Sequence, residues 1–99
     1  MKEQLVNLHA GLCTLWVDHP HLEPEIPQNS FAIFMPTNSF DVDGVYAINY
    51  GNGVELFRCV SHDQITAAND LKQPHLIFDK AEFDKVVTGK VIAKLKIWL

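Results

Sequence analysis

The chain predicts a mainly β domain with twisted or barrel-like sheets and one or two short helical turns. Three observations carry this. Seven short apolar, β-prone segments are separated by turn residues. A Gly51-Asn52-Gly53 loop joins two of them as a hairpin. In residues 90–99, Val91, Ala93, Leu95, Ile97 and Leu99 alternate with Lys90, Ile92, Lys94, Lys96 and Trp98, the period of two that belongs to strands. At 99 residues the chain is long enough for one core and too short for two, and apolar residues at 47% with charged residues at 20% are ordinary for a folded domain.

In chain order, residues 1–11 read as a linker or short helix. Leu5 and Leu8 sit three apart, and Gly11 is a suitable stop. The domain proper is expected over residues 12–99. LCTLWV, residues 12–17, is short, apolar and β-prone, and leads into the Asp18-His19-Pro20-His21 turn. Residues 30–35 form the next strand, with Phe31 and Ile33 on one face and Phe34 on the other. In the hairpin, a two-residue Asn52-Gly53 turn pairs Gly51 with Val54, Asn49 with Leu56 and Ala47 with Arg58. That register puts Tyr46, Ile48, Phe57 and Cys59 on one face, the expected core. Arg58 falls on the other face, at the surface or in a groove. Residues 64–68 and 74–78 are further strands. Asp79 with Glu82 three residues on is a capping box, which predicts a short helical turn over residues 80–85.

A net charge of −4 argues against a surface built to neutralise phosphates, so the chain by itself is not expected to bind DNA well. No apolar run approaches the ~18 residues of a membrane span, and the N-terminus lacks a secretory hydrophobic stretch, which points to a soluble cytoplasmic domain. Cys13 and Cys59 each lie in an apolar pattern and read as reduced small hydrophobes.

Two stretches, LEPEIPQNSFAIF at residues 22–34 and DVDGVYAINYGNGVELFRCV at residues 41–60, together carry a resemblance. In order and spacing the chain resembles the catalytic domain of LexA-like self-cleaving repressors, of the serine-lysine peptidase superfamily that includes signal peptidases. There a Gly-Asp-Ser-Met-x-Pro turn precedes a strand, an Asp-Gly step and a hairpin ending in Lys-Arg. Leu22, Glu23, Pro24 and Ile26 stand where that family has Met-x-Pro-x-Ile. The nucleophilic serine position then falls on His21 and the lysine position on Arg58. His21 has no hydroxyl, and a guanidinium with a pKa above ~12 cannot act as the base. The resemblance therefore implies a pseudo-peptidase, not an enzyme, with the degenerate dyad His21 and Arg58.

What survives in such a domain is self-association. The expected function is a non-catalytic dimerisation and regulatory domain of a phage-type or prophage repressor, forming a homodimer or higher oligomer. DNA would be reached only through a separate helix-turn-helix domain, and an antirepressor protein is a candidate partner. Linking two DNA-binding heads raises binding by ~100-fold or more. Leu95, Ile97, Trp98 and Leu99 are the interface candidates, because the terminal strand is apolar on both sides. The alternative is a stand-alone small binding protein that uses the former active-site groove for a peptide or an anion, Arg58 suiting a carboxylate.

Other chemistries have weaker signals. Ser30 and Ser39 are the nearest hydroxyls to the vacated nucleophile position. Ala10-Gly11 matches a self-cleavage dipeptide in letters but reads as a helix stop. Asp18, His19 and His21 are weak candidate metal ligands that lack motif-spaced companions. Asp18, His21 and Arg58 equally suit a hydrogen-bonded cluster filling the groove. No cofactor is expected.

Overall fold

The computed structural model describes residues 5–7, 11–51, 53–69 and 75–96. Their architecture is mainly β: eight strands and one short helix, in the order β1 (Leu5–Asn7), β2 (Cys13–Val17), β3 (Ser30–Pro36), β4 (Gly44–Asn49), β5 (Val54–Ser61), β6 (Ile65–Ala68), β7 (Leu76–Phe78), α1 (Lys80–Val86) and β8 (Val87–Lys96). The strands form one sheet, ordered β1-β2-β3-β8-β4-β5-β6-β7, with every neighbouring pair antiparallel. The last strand thus returns to the centre and joins β1–β3 to β4–β7.

Strand β1 is a correction. Residues 5–7, where the Leu5 and Leu8 spacing predicts a helical turn, are instead strand β1, paired with β2 in the register Leu5 opposite Leu15. A segment this short has little helical preference of its own, and the open edge of β2 offers it a ladder. The remainder of residues 1–10 lies outside the described residues.

A second correction concerns the β4–β5 hairpin. Asn49 faces Val54, Ala47 faces Leu56 and Val45 faces Arg58, a register displaced by two residues from a two-residue turn. Four positions separate the paired Asn49 and Val54, and of these Gly51 (φ 94°) and Gly53 (φ 130°) both use conformations open to glycine. The longer loop carries the Tyr50 ring to within 5.9 Å of Phe78. A shift of two keeps each side chain on its face, so Tyr46, Ile48, Phe57 and Cys59 do form a core.

That core is one of two, and they lie on opposite faces of the same sheet. The first joins Cys13, Leu15 and Val17 of β2, Ala32 and Phe34 of β3, Val45 and Ala47 of β4 and Leu56 of β5, closed by Leu22 and Ile26 from the β2–β3 connection. The second joins Tyr46, Ile48, Phe57, Cys59, Ile65, Ala67 and Phe78, closed by Phe83 of α1. Because β4 and β5 alternate between the two, they read as nearly continuous apolar runs.

Helix α1 is held as its sequence predicts. Asp79 Oδ1 accepts from the Glu82 amide at 2.8 Å, and Glu82 Oε1 accepts from the Asp79 amide at 2.9 Å. Phe83 packs edge-on to Tyr46, Phe40 and Phe78 at 5.4, 5.6 and 6.0 Å. The Tyr46 hydroxyl donates to the Val42 carbonyl at 2.7 Å and accepts from the Asp41 amide at 3.0 Å, so the buried ring leaves no polar group unpaired. Asn69, also buried, donates to the Leu56 carbonyl at 3.0 Å and to Glu55 Oε2 at 3.2 Å, tying the end of β6 to β5.

Gly89 marks where β8 passes between β3 and β4. A Cβ there would fall 2.3 Å from Phe34 Cδ2 and 2.7 Å from the Met35 carbonyl oxygen. Only a residue without a side chain lets the Phe34 ring lie across the strand. A register shift at Ile33/Phe34 then leaves Ile92 as the extra residue of β8.

Candidate functional site

The site is built on residues 18–29, a strap that leaves β2 and returns to β3. Its two ends are tied where the Asn29 amide donates to the Val17 carbonyl at 2.7 Å. Asn29 takes φ 63°, which its short polar side chain tolerates. Inside, the Glu23 amide bonds Pro20 O and the Ile26 amide bonds Leu22 O, giving roughly one helical turn with a cis Glu23–Pro24 peptide. Residues four apart on such a turn point the same way. Leu22 and Ile26 accordingly drive into the first core, at 0% and 2% exposure, while Glu23, Pro24 and Glu25 stay outside.

Two cations from the sheet hold the strap down. Arg58 of β5 donates from Nε to Glu25 Oε2 at 2.5 Å and from Nη2 to Glu25 Oε1 at 3.0 Å, a bidentate fork, and also reaches the Glu23 carbonyl at 2.8 Å. Lys94 of β8 donates to the Glu25 carbonyl at 3.0 Å. Since β4 lies between β5 and β8, Glu25 is gripped from both sides of it. The hydrogen bond from Arg58, more than its bare charge, lowers the Glu25 carboxyl pKa, and partial burial opposes this. The Gln28 side chain bonds the Asp18 carbonyl at 2.9 Å, and the Gln28 amide bonds Glu23 Oε2 at 3.0 Å.

Against this geometry the sequence candidates sort clearly. His21 and Arg58 both belong to the strap region: Arg58 binds two residues just beyond His21, and the His21 ring stacks on His19 at 4.6 Å between centroids. Among the described residues no group of three His, Cys, Asp or Glu is arranged to hold a metal, Asp18, His19 and His21 included. Ser30 is fully buried, its hydroxyl donating to the Pro27 carbonyl at 2.6 Å, and so serves to close the strap. Ser39, half-buried, gives its carbonyl to the Thr37 hydroxyl at 3.4 Å. Cys13 and Cys59 are both buried; burial pushes the Cys59 thiol up to about 12, so it keeps its proton at neutral pH and is inert. Of the interface candidates, Leu95 is 52% exposed, while Ile97, Trp98 and Leu99 lie outside the described residues.

Glu25 is the residue that sequence reasoning missed. Its only signal is a glutamate beside prolines in a turn, and nothing local announces a partner 33 positions downstream. Beside it opens a cavity of about 310 Å³, lined by Glu25, Ile26, Gly44, Val45, Val91, Ala93 and Lys94 and predominantly apolar. No helix is long and apolar enough to cross a membrane among the described residues. No protein-family model, curated protein or solved structure matches this chain.

Proposed function

We propose that this chain is a non-catalytic self-association and regulatory domain of the kind that, in LexA-like phage or prophage repressors, brings DNA-binding heads together. The observation that carries this reading is an exposed apolar surface on the β2–β3–β8 side of the sheet. Register puts Trp16 beside Phe31 and Phe31 beside Leu95, with Ile33 and Met35 continuing the row on β3. Met35 and Leu95 are 51% and 52% exposed, and Trp16 meets Phe31 edge-on at 4.9 Å. An aromatic pair within an aliphatic row is the composition of an interface core. An isologous dimer buries two such rows against each other.

The dyad positions favour a structural role over chemistry. Arg58 is a permanent cation committed to Glu25, and His21 offers no hydroxyl. Regulation would then come from a partner protein, such as an antirepressor, in place of cleavage, and DNA contact from a separate helix-turn-helix unit. Sedimentation equilibrium tests the reading. A dimer at micromolar concentration that dissociates in Leu95→Glu, with an unchanged circular dichroism spectrum, is the expected result. A wild-type chain that stays monomeric across that range would defeat it.

A further inference from the structure

We propose that Met35 is a peroxide-sensitive modification site, and that its oxidation to the sulfoxide takes the Trp16–Phe31 association surface apart. This rests on the self-association reading and names how that surface is regulated.

Sulfur is unevenly placed in this chain, which has two cysteines and two methionines. Cys13 and Cys59 lie in the two cores, at 8% and 0% exposure. Burial also keeps Cys59 protonated, so the thiolate that reacts with peroxide does not form there. Met35 is the reverse case. It is 51% exposed, at the outer end of the row that runs Phe31, Ile33, Met35 along β3. Alternation along the strand keeps it on the face of Phe31 and away from Phe34, whose ring belongs to the first core. A thioether needs no ionisation to react, so access governs its oxidation.

The step is a single oxygen transfer. The thioether sulfur attacks one oxygen of hydrogen peroxide, and an S–O bond forms as the O–O bond breaks. The hydroxide released takes up the proton of the transferred oxygen and leaves as water. Sulfur is oxidised by two electrons and the peroxide is reduced. A flexible apolar side chain thereby gains a strong acceptor oxygen at its tip. In the free chain that oxygen faces water, whereas an interface built on an aromatic and aliphatic row buries it. Across the ladder from Met35 stands Lys90. Its ammonium lies 4.0 Å from Asp41 and 5.9 Å from the centre of the Tyr46 ring, already drawn towards the second core. Oxidation therefore penalises the associated state and spares the fold.

The test treats the full chain with hydrogen peroxide at neutral pH, follows Met35 by peptide mapping and reads association by sedimentation equilibrium. In the Met35 sulfoxide form the dimer dissociation constant should rise at least about tenfold, the effect of burying one unpaired polar group. The circular dichroism spectrum, and the urea midpoint at monomeric concentration, should not change. A methionine sulfoxide reductase with dithiothreitol should restore the dimer. Met35→Leu should associate like the wild type and ignore peroxide, which separates Met35 from Met1 and the cysteines. Met35 should also oxidise more slowly as wild-type concentration rises, and at one rate throughout in Leu95→Glu. An unchanged dissociation constant in the sulfoxide form, peroxide sensitivity that persists in Met35→Leu, or equal oxidation rates in monomer and dimer overturns the proposal and leaves self-association standing. A wild type that is monomeric before peroxide is added defeats the self-association reading itself, and this proposal with it.

Discussion

The two cores of this sheet are closed by covers of different kinds. On one face α1 brings a single aromatic ring into a nest of other rings, and a capping box fixes where the helix begins. On the opposite face residues 18–29 supply two aliphatic side chains, and position comes from polar contacts, with Arg58 and Lys94 gripping Glu25 and Ser30 closing on Pro27. The helix is a local solution, stabilised within its own few residues and by the rings beneath. The strap depends on side chains 33 and 69 positions away. A cover held by long-range polar contacts is where solvent, salt and ligands can act, and the cavity lies on that side.

Replacing the two buried anchors probes the comparison most strongly. Phe83→Ala removes the ring on which Tyr46, Phe40 and Phe78 converge, and should cost about 3–5 kcal/mol in urea unfolding. Ile26→Ala should cost less, about 2–4 kcal/mol, since the strap can partly collapse over an existing cavity. If Ile26→Ala proves the more damaging, the strap is the stiffer cover and the contrast is reversed. Asp79→Ala, read in the same unfolding experiment, should cost about 1 kcal/mol by removing one side of the capping box.

The smallest effect is expected from the ion pair. The Glu25 side chain is 44% exposed and that of Arg58 28%, so solvent screening keeps Arg58→Leu under about 1 kcal/mol at neutral pH. Its pH dependence is the sharper readout. The folded carboxyl of Glu25 is held below its ordinary value of 4.5, so the pair stabilises above that value and fades as pH falls through the lower folded one. Urea midpoints of wild type and Arg58→Leu should therefore differ at pH 7 and draw together as pH falls through the lowered value of the folded carboxyl. A gap that persists in acid would mean that Arg58 acts through the Glu23 carbonyl rather than the Glu25 carboxylate.

Local signals in the sequence carried the β architecture far. The capping box at Asp79 and Glu82, the face shared by Tyr46, Ile48, Phe57 and Cys59, and the strand character of β2, β3, β6 and β8 all follow from spacing alone. The hairpin register did not, because two glycines flank Asn52 and a two-residue and a four-residue loop suit the same letters; contact between Tyr50 and Phe78 goes with the longer one. Strand β1 was hidden for the same reason, since three residues take their conformation from the edge they meet. At the candidate site the letters identified Arg58 but not its carboxylate, and pairing across 33 positions has no period to detect.

The path of β8 bears on how the molecule comes apart. Its first residues ladder with β4 and its later ones with β3, and Gly89 sits where the two seams meet under the Phe34 ring. Neither seam can open along this strand without disturbing the other. The helix-covered and strap-covered sides are thereby fastened into one cooperative unit, and a bulky residue at that crossing would act on both at once, like a pin withdrawn from a shared hinge.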